Sequence, residues 1–175
     1  KLADSLLRNG FDLTVRDLND ALVQSFVDRG ATRAASPKEM TERVDLVITC
    51  LPSPTVCSAV MESEDGIIGG LSVGKIWLEM STTDQSEVIR LANIVKAKGA
   101  MAMDCPVSGG CHRAATGNIS IFAGGERETF ERVLPILTRM GRRILHTCPI
   151  GSASVLKVVT NYLFTVHLAA LAEAF

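Results

Sequence analysis

The sequence carries no excess of charge of either sign. Its 175 residues hold 18 Lys and Arg against 19 Asp and Glu, a net charge of −1. That balance offers no basic surface to a nucleic-acid backbone and no polybasic segment to an anionic membrane. There is no CxxC pair either: Cys50, Cys57, Cys105, Cys111 and Cys148 are odd in number and scattered. With no signal peptide in view, reduced thiols are expected rather than a disulfide framework or a zinc site. The expected compartment is the cytoplasm, or the mitochondrial matrix in a eukaryote. No His, Cys and carboxylate grouping has ligand spacing, so no metal is expected. Repeats and low-complexity stretches are lacking too. With 47% apolar and 21% charged residues, the composition is that of an ordered globular protein, one domain and perhaps the start of a second.

What is present alternates. Leu2, Ala3, Leu6 and Leu7 share a helical face that ends at Asn9-Gly10. A strand is predicted over 13–17, a helix over 20–29 closed by Gly30, and a helix opened by Pro37. Strands at 45–50, 75–80, 101–104, 119–123 and 142–146 alternate with helices at 56–61, 84–98 and 126–140. Short apolar strands separated by helices indicate a mainly parallel sheet with both faces covered, a doubly wound α/β domain over residues 1–149. From Ser152 to Phe175 a single helix is predicted, apolar on nearly all sides, whose covering elements lie outside this chain. Its length would suit a membrane span, but Lys157, Asn161, His167 and Glu173 would be costly in hydrocarbon.

Ligands of open α/β sheets bind beyond the carboxyl ends of the strands. Asp17 follows one such end and can accept from the ribose hydroxyls of an adenine dinucleotide while repelling a 2′-phosphate; as an acid after a strand it is equally suited to forming a turn. The supporting GxGxxG loop is not in the sequence and would lie just before Lys1. In Asp104-Cys-Pro-Val-Ser-Gly-Gly110, the N–H groups of Ser108, Gly109 and Gly110 can surround a carboxylate, unless the segment is simply a Pro-Gly turn. Lys157 and Asn161 share a helical face one turn apart. A buried lysine there can act as a general base near neutral pH, whereas a snorkelling one would be a surface residue. His112 and Arg113 beside the Ser-Gly-Gly loop could meet a second polar or anionic group of a substrate. His146 and His167 are expected to be packed, hydrogen-bonded side chains. Cys105 and Cys111 flank the loop with no activating base in view.

Five segments occur in this order at fitting separations: Leu51-Pro52, Met80-Ser-Thr82, Asp104-Cys-Pro-Val-Ser-Gly-Gly110, Gly117-Asn-Ile-Ser-Ile-Phe-Ala-Gly-Gly125 and Lys157-Val-Val-Thr-Asn161. Together they resemble the β-hydroxyacid dehydrogenase family, across essentially the whole chain. The resemblance implies a Rossmann-like NAD-binding domain over 1–149, without its first strand and glycine loop. It also implies that 150–175 begins an all-helical C-terminal domain supporting a homodimer or homotetramer. It implies hydride exchange between NAD(H), less readily NADP, and a small 3-hydroxy acid or its semialdehyde. Asp17, Leu51, Pro52, Val56 and Thr82 are then cofactor contacts. Ser108, Gly109 and Gly110 hold the substrate carboxylate, Lys157 is the general acid/base and Asn161 its partner. One departure stands out: Cys148-Pro149 replaces the glycine usual before the catalytic helix. The alternatives are a non-catalytic dinucleotide-binding or interaction module on the same fold, and an imine reductase; Lys157 speaks against both.

Overall fold

A computed structural model describes all of residues 1–175. The helices are α1 (Leu2–Arg8), α2 (Asp20–Val27), α3 (Pro37–Arg43), α4 (Pro54–Glu62), α5 (Ile67–Gly70), α6 (Gln85–Ala97), α7 (Gly110–Ala115), α8 (Arg127–Met140) and α9 (Ser152–Ala174). The strands are β1 (Thr14–Val15), β2 (Thr32–Arg33), β3 (Leu46–Thr49), β4 (Ile76–Glu79), β5 (Met101–Asp104), β6 (Val107–Ser108), β7 (Ile119–Gly124) and β8 (Gly141–Cys148).

Local chemistry starts the helices where the sequence signals them. Ser36 and Ser53 cap α3 and α4 by accepting from Glu39 N–H (3.1 Å) and Val56 N–H (3.2 Å), each followed by a proline that has no N–H to lose. Asn19 caps α2, and Asp84 caps α6 through the N–H groups of Ser86 and Glu87.

The strands alternate across the sheet. Ile76, Leu78 and Met80 face one layer, built with Leu6 of α1 and Phe130, Val133 and Leu137 of α8. Trp77 faces the other, with Val47, Cys57 and Met61 of α4, and Leu91 and Val95 of α6. This is the expected α/β architecture with helices on both faces. The sheet differs in two respects from the simplest reading. β1 and β2 form a separate parallel pair, while the other six strands form a second sheet. That second sheet is mixed: β3, β4 and β5 are parallel, but β7 runs antiparallel to β5 and β6 and parallel to β8. Met101–Asp104 and Val107–Ser108 are separate strands with Pro106 between them: β5 lies between β4 and β7, whereas β6 pairs with β7 alone. The change of partner falls at Asp104, which sits opposite both Glu79 of β4 and Gly124 of β7.

Only the first turns of α9 are built into this body, against β7, β8, β5 and α6. Beyond Thr160 every residue of the helix is exposed. By length and mean hydropathy (1.5) α9 could cross a membrane.

Candidate active site

Asp104 closes β5 at the carboxyl ends of the parallel strands, the edge beyond which open α/β sheets bind ligands, and it is wholly buried. Its Oδ1 accepts from Gly151 N–H at 2.7 Å, and its Oδ2 from Ser154 N–H (2.7 Å) and the Ser154 hydroxyl (2.9 Å). A sheet carboxylate therefore caps α9, satisfying amides that a helix start leaves unpaired. Burial pushes the Asp104 carboxyl upward, and these hydrogen bonds pull it back down in part. Gly124 makes the arrangement possible. A Cβ there would lie 2.3 Å from Asp104 Oδ1 and 2.9 Å from the Pro149 carbonyl oxygen.

One turn past this anchor stands Lys157, with 9% of its surface exposed. Its Nζ donates to Asn161 Oδ1 at 2.9 Å, and burial holds its pKa below the usual lysine value. Lys157 and Asn161 do share a face of α9, here bonded directly to one another, and the lysine is buried rather than snorkelling.

Ser108 lies at the end of β6, paired with Ser120 of β7, the strand against which α9 packs. Gly109 (φ 132°) and Gly110 (φ 75°) follow in backbone conformations that side chains disfavour, so the tandem glycine is a conformational requirement. Rather than a simple turn, the segment is a strand, then Gly109, then α7, whose first residue is Gly110. Arg113 folds its stem over Gly109, where a Cβ would meet its Cδ at 2.8 Å. His112 is exposed on the same helix.

The turns after β3 and β4 are joined, since Leu51 N–H donates to Ser81 Oγ at 2.8 Å. Pro52 and Thr82 are exposed beside this bond, and Val56 is exposed on the first turn of α4, inside the helix. Asp17 follows β1, in the separate two-stranded pair. It is exposed, and its Oδ1 accepts from Asn19 N–H at 2.9 Å, so it does form a turn, while its Oδ2 makes no hydrogen bond within the chain. His146 is packed as expected, stacked on Phe130 with centroids 4.4 Å apart and bonded to the Gly125 carbonyl. His167 is not: it lies exposed on the free length of α9.

Two contacts escape a sequence reading. The cap by Asp104 and the close approach at Gly124 join segments about fifty and twenty residues apart, which no local pattern encodes. Thr83, in the turn after β4, lies at the same carboxyl edge of the sheet. It is buried next to the predicted Thr82, its Oγ1 has no partner, and it lines a cleft of about 220 Å³ with Asp84, Gln85, Ser154, Val155, Val158 and Val159. That cleft lies along a face of α9 other than the one bearing Lys157.

A mainly parallel sheet covered by helices on both faces, with the predicted contacts beyond the carboxyl ends of its strands, defines a Rossmann-type nucleotide-binding domain. Residues 1–150 match the family model described as the NAD binding domain of 6-phosphogluconate dehydrogenase, and the chain belongs to that family. It is 33% identical over 173 residues to the NAD-dependent L-serine dehydrogenase of Pseudomonas aeruginosa and 35% identical to the 3-sulfolactaldehyde reductase of Escherichia coli. In both cases 99% of this chain aligns with 58% of the relative's length. Among solved structures, the 3-hydroxyisobutyrate dehydrogenase of Salmonella typhimurium superposes with a TM-score of 0.89 at 28% identity, over 99% of this chain and 61% of that one.

Proposed function

We propose that this chain is the cofactor-binding and catalytic part of an NAD-dependent oxidoreductase that interconverts a small 3-hydroxy acid and the corresponding semialdehyde. The observation that carries this reading is the buried Lys157 amine, held against Asn161 one turn from the sheet-anchored start of α9. The residues suit a dinucleotide. Asp17 keeps one carboxylate oxygen free for ribose hydroxyls, and Leu51, Pro52, Val56 and Thr82 present a shallow face beyond β3 and β4. When bound, NAD supplies the hydride acceptor.

The chain's own residues do the rest. Ser108, Gly109 and Gly110 hold the substrate carboxylate. Asn161 orients the hydroxyl toward Lys157, whose Nζ takes its proton during oxidation and returns it during reduction. Burial favours the neutral amine that the first of these steps needs. The printed names of the relatives, a serine dehydrogenase and a sulfolactaldehyde reductase, support a small hydroxylated or carbonyl substrate. In this reading the two sheets are parts of one, divided where the first strand and glycine loop belong. Residues 150–175 then open an all-helical domain of a homodimer or homotetramer rather than enter a bilayer. Five free thiols suit a reducing compartment.

Lys157→Ala in the intact protein tests the mechanism. Turnover should fall about a thousandfold while NADH still binds. Unchanged turnover would remove Lys157 from the mechanism, and NADH binding without any hydroxy-acid oxidation by the wild type would favour a non-catalytic module.

A further inference from the structure

Glu79 occupies a core position. It shares a face of β4 with Trp77 and is 0% exposed, in the layer formed by Val47, Cys57 and Met61. It has no salt-bridge partner. Three donors surround it instead. Ser81 N–H reaches Oε1 at 2.7 Å, while the Thr49 hydroxyl (2.8 Å) and the Cys57 thiol (2.7 Å) reach Oε2. Thr49 is itself fixed by the Trp77 indole N–H at 2.9 Å. A carboxylate withdrawn from water with no cation beside it is costly even when hydrogen-bonded, so an acid here is a poor choice for core packing alone.

The hydrogen bonds lead outward to two turns. The ladder between β3 and β4 closes with Met80 N–H on the Thr49 carbonyl, and past it the sheet no longer dictates the backbone. Glu79 takes over at that point by gripping the Ser81 amide. Ser81 Oγ in turn accepts Leu51 N–H, the last donor before Pro52, which has none. One buried carboxylate thus sets the turn after its own strand, and through Ser81 the turn after the neighbouring strand.

We propose that Glu79 is a positioning residue for the cofactor: through Ser81 it holds the Leu51-Pro52 and Ser81-Thr82 turns at a fixed separation, so that together they receive the dinucleotide. This rests on the dehydrogenase reading, which assigns both turns to NAD. Glu79 touches neither cofactor nor substrate, so its effect is expected on cofactor affinity alone.

The test uses E79L, E79Q, S81A and S81T in the intact protein, with NADH affinity by fluorescence titration, KM for the hydroxy acid, and amide hydrogen exchange at Leu51 without cofactor. S81A and E79L should each weaken NADH about tenfold, the worth of one well-placed hydrogen bond, with KM for the hydroxy acid unchanged. S81T keeps the hydroxyl, and E79Q keeps an oxygen for the Ser81 amide with its NH2 turned to Thr49. Both should stay within about twofold of wild type, a smaller loss than deleting the bond outright. In S81A the Leu51 amide should exchange faster. NADH affinity unaltered in S81A, or a parallel rise of the NADH Kd and the hydroxy-acid KM, would overturn the positioning role while leaving the dehydrogenase reading intact. A wild type that binds no NADH would overturn both. Should E79L fail to fold, S81A, S81T and E79Q carry the same decision.

Discussion

Lys157 is an amine buried without an acid to neutralise it, and its linkage to pH has a definite sign. Its folded pKa lies below the unfolded value of 10.5 because burial disfavours the charged form. Between those two values the unfolded chain binds more protons, so stability rises with pH across that window, and below it the whole burial penalty is present. Lys157→Met should therefore stabilise the protein at pH 7 while abolishing turnover, and the gain should vanish as pH approaches 10.5. Urea denaturation of both proteins at pH 7 and at pH 10.5 checks this; a gain equal at the two would make it an effect of packing. Cys148 offers a second measurement at this scale. Its φ of 72° is the left-handed conformation that glycine adopts freely and cysteine only at a cost, directly before the connection to α9. Cys148→Gly should raise stability by about 1 kcal/mol, read as an increase in Tm.

Between elements, the decisive joint is the one from β5 to α9. Asp104→Asn leaves an amide NH2 facing the Ser154 N–H, a donor against a donor, and should cost about 2 kcal/mol as a lost helix cap. Gly124→Ala places a methyl within 2.3 Å of the same carboxylate and should cost about 3 kcal/mol by overpacking. Because both changes act on one joint, the double variant should lose less than the two singles together, a coupling that a double-mutant cycle in urea would reveal. This joint also marks the limit of what the sequence discloses. The helix start at Pro37, the strand over Ile76 to Met80 and the Lys157–Asn161 spacing are local patterns, and each is realised, whereas Pro52-Ser53-Pro54 reads as a breaker yet Pro54 already opens α4. The Ser-Gly-Gly motif was visible as a requirement for small residues, though not as a strand followed by a helix start. Asp104 was visible only as the first letter of its motif, because its partners arrive 47 and 50 residues later. The separate β1–β2 pair and the antiparallel course of β7 were hidden for a similar reason: an apolar run tells that a strand is buried, not which neighbour it takes.

For the molecule as a whole, the exposed length of α9 governs behaviour in solution. Tyr162, Leu163, Phe164, Leu168 and Leu171 are each between 46% and 70% exposed, in a continuous apolar rod. Surfaces of that kind associate. The 175-residue chain on its own should therefore self-associate with rising concentration, and the double change Leu163→Glu, Leu168→Glu should suppress it without altering the circular dichroism of the α/β body. Sedimentation velocity over a hundredfold concentration range reads the outcome; a monomer throughout would refute the expectation. The same helix is gripped only at its root. At about 1.5 Å of rise per residue, Lys157 sits roughly 5 Å from the Asp104 clamp, whereas Ala174 is about 30 Å away. A swing that carries the tip through several ångströms displaces the amine by only about a sixth as much. Whatever pulls on the far end, the proton-handling nitrogen stays near the fulcrum.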